Sequence, residues 1–489
     1  MFFNSYNFLI FFPIVVLVYF VIPKRIQHIW LLAASYYFYM CWNAKYAILL
    51  LFVTTVTYVC GRILDRLTKD RYRKIIVALC VAGNLSVLFV FKYLNFLIDT
   101  LNGILAGINV ELVIPEHDLL LPVGISFYIF QALSYTFDLY RSQVKVEKNF
   151  LRYALFVSFF PQLVAGPIER SRNLLKQVNE EHSFCFERMR EGLLVMMWGF
   201  FLKLVIADRA AVVVDCVYND YSTYGGLYLL IATMLFAVQI YCDFAGYSTI
   251  AVGAAEILGF RLTENFAQPY LAESVAEFWR RWHISLTSWF RDYLYIPLGG
   301  NRKGKLRKYC NIMIVFLVSG LWHGAEWSFV VWGGLNGIYQ VLSECFKPVR
   351  EKIIKLLKLT PDLQGNRLAK VIGTFVLVDF TWIFFRADTI QDALQIIKSI
   401  FTVHNPWILF DFSLYELGLD RANFCLMLLA IAILFAVDIL KKKGYSICRI
   451  VLEQDWWFRW TFYLAAFFFV VIFGLYGTNY GSSFIYFQF

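Results

Sequence analysis

The chain has 489 residues, of which 60% are hydrophobic and 19% aromatic, and its mean hydropathy is +0.60. Only 16% are charged, against roughly 25% in soluble domains. That excludes a water-soluble globular protein, and the net charge of +10 points to cytoplasmic loops of a membrane protein rather than to nucleic acid.

Charge-free runs recur at 1–23, 75–91, 119–137, 153–168, 309–325 and 461–489. Several reach the ~20 residues a bilayer-spanning helix needs. Lipid forces every backbone group into helices or a closed barrel, and the strict alternation of a barrel is absent. The class is an all-α polytopic membrane protein, with about 11–12 membrane segments plus re-entrant and interfacial helices. The opening "MFFNSYNFLIFFPIVVLVYFVIPKR" lacks a basic leader and a small-residue cleavage site. It reads as a retained first span with its N-terminus outside. Basic clusters at 24–25, 62–74, 141–152, 302–308, 347–358 and 441–443 mark the cytoplasmic side. "YALFVSFFPQLVAGPIERSR", 153–172, holds Pro161 and Pro167 and is followed by more arginine, so it reads as a broken or re-entrant helix packed inside protein. The polar connections at 168–190 and 344–368 are too short for a soluble core. No internal repeat is visible, so 1–489 reads as a single membrane domain.

The next informative segment is "EFWRRWHISLTSWFRDYLYIPLGGNR", 277–302. At helical spacing Trp279, Trp282, His283, Leu286, Phe290 and Tyr293 form one aromatic stripe, with Arg280, Arg281, Ser288, Arg291 and Asp292 opposite. This predicts an amphipathic interfacial helix ended by Pro297 and Gly299-Gly300, with a Glu277–Arg281 pair at i,i+4. In isolation His283 reads as a packed interfacial histidine. The arginines and the "GGNRKGK" loop suit a phosphate-bearing donor on the cytoplasmic side.

Between Lys308 and Glu344 the only formally charged side chain is Glu326, in "SGLWHGAEWSF". A helix starting near Asn311 places His323 ~18 Å along its axis, past the middle of a ~30 Å hydrocarbon core. Gly320, Gly324, Gly333, Gly334 and Gly337 permit close helix approach. With both basic flanks cytoplasmic, the segment is a hairpin whose tip carries His323 and Glu326. Hydrocarbon disfavours an imidazolium, and a neutral imidazole accepts protons, as a general base must. The competing reading is a structural histidine bridging two helices. Glu326 reads as a partner or interfacial residue rather than a catalyst. Gln239, Asp243, Asp138, Asn336, Asp379 and the "GPIER" stretch at 166–170 are polar groups in apolar settings, as readily structural as functional. The ten cysteines show no CxxC pair, and the histidines at 28, 117, 182, 283, 323 and 404 show no i,i+4 pairing, so no metal site is expected.

"FWRRWHISLTSWFRDYLYIPLGGNR" followed by "LVSGLWHGAEWSFVVWGGLNG" resembles the membrane-bound O-acyltransferase family, and within it the bacterial alginate O-acetyltransferase branch. "LPVGISFYIFQALSYTFDLYR", "LVAGPIER", "IYCDFAGYSTIA" and "FIYFQF" resemble the same branch. The D-alanyl transfer protein of teichoic acid synthesis is a more distant relative. The resemblance implies a ring of helices around a thinned central funnel. It implies catalytic roles for His323 and His283; Trp282, Arg291, Asp292, Arg302, Asp243, Asn336 and Glu326 are read from the sequence as donor-binding or supporting residues. It further implies no bound cofactor and an acyl donor that is acetyl-CoA or an acyl carrier protein thioester. The expected activity passes an acyl group, acetyl, across the cytoplasmic membrane for O-acetylation of an exported polysaccharide or cell-wall polymer. Because no Gly-Asp-Ser-type hydrolase segment or extracellular domain is present, an exported or membrane-anchored acyltransferase partner is implied. The alternatives are a polysaccharide-precursor flippase, which normally shows repeat symmetry, a noncatalytic scaffold of a secretion complex, and D-alanyl transfer to teichoic acid.

Overall fold

The computed structural model describes residues 1–489 apart from 111, 165, 358–359, 361–362, 477–483 and 486–489. Ala165 of "LVAGPIER" and all of "FIYFQF" but Phe484 and Ile485 therefore lie outside the described residues. The described residues form helices and turns with no strand among them. Among the described residues, six helices are long and apolar enough to cross a membrane: Ala44–Arg66, Asp70–Gly107, Leu227–Ile257, Gln364–Arg386, Arg421–Lys442 and Trp456–Phe473. The chain is thus an all-α multi-pass membrane protein. Other apolar stretches fold as shorter or interrupted helices, such as the 16-residue Tyr6–Val21.

The chain divides into two compact units, 1–196 with 250–263 and 197–249 with 264–489. In the first, Ile125–Tyr140 is buried along almost its whole length. It packs on Ala47–Arg66 where Gly61 leaves room, a Cβ there falling 2.9 Å from Tyr135 and Leu139 side-chain atoms. Ser171 Oγ donates to its Asp138 Oδ2 at 3.1 Å, so Asp138 serves as a structural acceptor. The proline-bearing stretch is broken as expected. Phe150–Ser158 ends at Phe159, which turns out of helical geometry (ψ 110°) into the four-residue Phe160–Leu163. Both pieces are buried apart from the first residues.

The second unit holds the large apolar core, in which Leu227–Ile257 contributes Leu229, Phe236, Ile240 and Ala245 and Gln364–Arg386 contributes Trp382 and Phe385. Here Phe201–Ala207 winds as a π turn between two α-helical segments.

Candidate active site

Two helices, Lys305–His323 and Trp327–Cys345, form the expected hairpin, joined by the three residues 324–326. The first starts at Lys305 and not near Asn311, because the break is Gly304 at φ +87° and the basic residues after it are good helix formers. His323 is its last residue, roughly 27 Å along the axis from Lys305. The helices touch backbone to backbone. A Cβ on Gly320 would lie 2.3 Å from Phe329 O, and one on Gly333 2.3 Å from Phe316 O. Small residues at a crossing are how helices approach where water gives no hydrophobic drive. Here they place His323 beside Trp332.

The aromatic stripe of 277–302 is buried at Trp279, Trp282, His283, Leu286, Phe290 and Tyr293, and Arg281 meets Glu277 at 2.8 Å. The single helix expected there is instead two, Val275–Arg281 and Ile284–Phe290, followed by a π turn at Arg291–Tyr295. The break falls on His283, whose backbone is left-handed at φ 44° and ψ 55°. A non-glycine residue held there costs about 1–3 kcal/mol and needs its surroundings to enforce it. The enforcing element is the segment around Asn265. Its carbonyl accepts Ile284 N–H at 2.9 Å, and Ala267 N–H donates to Arg281 O at 2.9 Å, so one strand of chain spans the break. Asn265 Oδ1 meets His283 Nδ1 at 3.1 Å and accepts Ser285 N–H at 3.3 Å and Ser285 Oγ–H at 2.9 Å. The backbone donor identifies that atom as the amide oxygen. His283 Nδ1 therefore carries the proton, and a neutral ring presents its lone pair at Nε2.

This break turns His283 toward His323. The imidazole centroids are 6.4 Å apart and the rings tilted by 64°. His323 is walled by Trp322 at 4.9 Å, Trp332 at 5.0 Å and Phe385 at 5.6 Å, and His283 by Phe244 at 4.7 Å and Trp322 at 5.8 Å. Both histidines are buried, 2% and 1% exposed. Rings this tightly enclosed exclude bulk water and raise the strength of every polar interaction inside.

Of the residues expected to support the pair, Trp282 is fully buried and joins the same aromatic cluster through Trp382 at 5.2 Å, which stacks on Trp332 at 5.7 Å. Asn336 braces that wall: its Oδ1 accepts Trp279 Nε1–H at 3.2 Å and its Nδ2 donates to Trp332 O at 2.9 Å. Arg291 and Asp292 pair with each other at 2.9 Å, with Arg291 exposed. Arg302 is exposed in the glycine-rich loop, and Glu326 is exposed at the hairpin tip, accepting Ser328 Oγ–H at 3.4 Å. Asp243 lies 2.7 Å from Lys203 Nζ and accepts Ile485 N–H at 2.8 Å, one residue before the Phe244 that touches His283.

Sequence reasoning missed Asn265, which lies in the polar turn "RLTENFAQPY" without a motif of its own. It also missed Lys203 and Asp208, whose signal was a lysine inside the apolar run "FLKLVIAD".

A family model described as MBOAT, membrane-bound O-acyltransferase family, matches residues 18–354. The chain is 37% identical over 438 residues to a probable alginate O-acetylase AlgI of Pseudomonas putida, covering 88% of this chain and 87% of that protein. It is 32% identical to a peptidoglycan O-acetyltransferase of Helicobacter pylori, covering 80% and 77%. To a teichoic acid D-alanyltransferase of Bacillus subtilis it is 26% identical, covering 55% and 70%.

Proposed function

The chain belongs to the membrane-bound O-acyltransferase family, and from that premise we propose that it passes an acetyl group from a cytoplasmic thioester toward an exported polysaccharide or cell-wall polymer. It is a multi-pass membrane acyltransferase. The acetyl group and the polymer class are supported by the relatives named for alginate and peptidoglycan O-acetylation, which cover most of the chain. The relative named for D-alanyl transfer is similar over about half of it, so that reading is less favoured.

The observation that carries the mechanism is the enclosed pair His323 and His283, brought to 6.4 Å from positions forty residues apart. His323 takes the proton of the acceptor hydroxyl as its oxygen attacks the thioester carbonyl carbon. The new C–O bond forms, the C–S bond breaks, and the proton passes from the imidazolium to the departing sulfur. His283, fixed through Nδ1 by Asn265, orients a reactant or helps move that proton through Nε2. The donor, acetyl-CoA or an acyl carrier protein thioester, approaches past Arg302, Lys303, Lys305 and Arg307, whose charges suit its phosphates. The enzyme works in the cytoplasmic membrane, and an exported or membrane-anchored acyltransferase partner completes the transfer to the polymer.

The test is a deletion strain complemented with the parental gene or with His323→Ala. Ester-linked acetyl on the exported polymer should return only with the parent, because loss of a general base costs about 10²- to 10⁴-fold in rate. Acetylation at the parental level by an expressed His323→Ala protein would refute the assignment.

A further inference from the structure

Among the described residues of the second unit, the densest buried charge surrounds Lys203. Its side chain is 1% exposed, and Nζ lies 2.9 Å from Asp208 Oδ1 and 2.7 Å from Asp243 Oδ1. Both carboxylates are buried as well. The π turn Phe201–Ala207 presents the lysine to both, and π turns inside helices are often found at functional sites. Such a cluster gains little stability over apolar packing, so its use lies in what it holds.

It holds the last described part of the chain at two points. Leu475 N–H donates to Leu204 O, a carbonyl of the π turn, at 3.0 Å. Ile485 N–H donates to Asp243 Oδ2 at 2.8 Å. Ile485 and Phe484 are both buried, 2% exposed each. The seat brings the Phe484 ring to 4.6 Å from Tyr247 and 5.8 Å from Phe244. Phe244 in turn meets His283 edge to face, at 4.7 Å and 88°. One continuous set of contacts thus runs from Lys203 through Asp243 and the Phe484–Ile485 backbone to the ring of His283.

We propose that Asp243, held by Lys203, is a positioning residue for the histidine pair: it seats Phe484 and Ile485 so that Phe484 packs on Phe244 and Phe244 fixes the plane of His283. The function of the pair rests on the acyltransfer reading, whereas the positioning does not.

The probe is the six histidines themselves. The full chain is prepared in lipid nanodiscs with ¹³C,¹⁵N-labelled histidine, and the His283 ring signal is assigned by its loss in His283→Gln. Ile485→Pro removes the backbone N–H that donates to Asp243 Oδ2, while Ile485→Val keeps it. The His283 signal should shift in Ile485→Pro and in Asp243→Ala, with those of His28, His117 and His404 in place. Polymer acetylation should fall on the order of 10-fold or more in both, as sub-ångström to 1 Å misplacement of a catalytic group does. The Ile485→Val signal should match the parent. The Ile485→Pro protein leaves the buried charges intact, so it decides the matter if Asp243→Ala fails to fold. An unmoved His283 signal in Ile485→Pro overturns the proposal, and so does a shift of all six signals together. Should His283 shift while His323→Ala still acetylates, the positioning stands and the catalytic reading falls.

Discussion

Replacing Gly320 by alanine separates the role of the hairpin from that of the histidine itself. The new Cβ would lie 2.3 Å from Phe329 O and 3.4 Å from Gly333 Cα. The close neighbour is backbone, which has no rotamer by which to retreat. The helices Lys305–His323 and Trp327–Cys345 must part by roughly 1 Å to reach ordinary contact, an overpacking that costs about 1–3 kcal/mol. His323 follows three residues later, ~4.5 Å along the same helix, so it moves with the shift while its Trp332 wall moves the other way. A 1 Å misplacement costs about 10²-fold in rate, or ~2.7 kcal/mol of barrier. Gly334→Ala is the control, since only Leu317 Cδ2 at 3.7 Å faces that Cβ. The assay is ester-linked acetyl on the exported polymer, with membrane protein level by immunoblot. Gly320→Ala should be present in the membrane and low in activity, and Gly334→Ala near the parent. A Gly320→Ala protein at parental level and parental activity would refute the argument that the crossing sets His323.

Asn265→Ala removes the acceptor that fixes His283 and should cut acetylation by about 10-fold or more while lowering stability by about 1–3 kcal/mol, as expected for unpairing buried donors; parental activity would show that Nδ1 needs no partner. Glu326→Gln should be much milder than His323→Ala, because Glu326 is exposed and accepts only from Ser328 among the described hydrogen bonds; a dead Glu326→Gln beside an active His323→Ala would reverse their roles. Cysteines placed at Lys303 and Lys442, both exposed in basic clusters, should resist an impermeant external thiol reagent in intact cells, and ready labelling at either site would invert the topology.

Much of the site was legible along the chain. The membrane class, the hairpin and its tip follow from hydropathy and from the isolation of His323 and Glu326 between Lys308 and Glu344. These are local properties: a lone ionisable group in a long apolar run declares itself within one segment. The buried stripe around Trp279 and Trp282 was legible for the same reason, since helical periodicity survives a break of two residues. The orientation of His283 was not. Continuing the period predicts an unbroken helix, and only a segment from elsewhere, carrying Asn265, overrides that local preference and turns the ring.

What the sequence determined by itself is therefore the medium, the helical class and which side chains lie deep in it, because lipid leaves the backbone no other choice. The tertiary structure alone decided which deep side chains meet. Asn265 reaches His283 across eighteen positions, Asp243 reaches Ile485 across more than two hundred, and His283 reaches His323 across forty. No periodicity encodes such pairings, since each joins segments that are far apart along the chain.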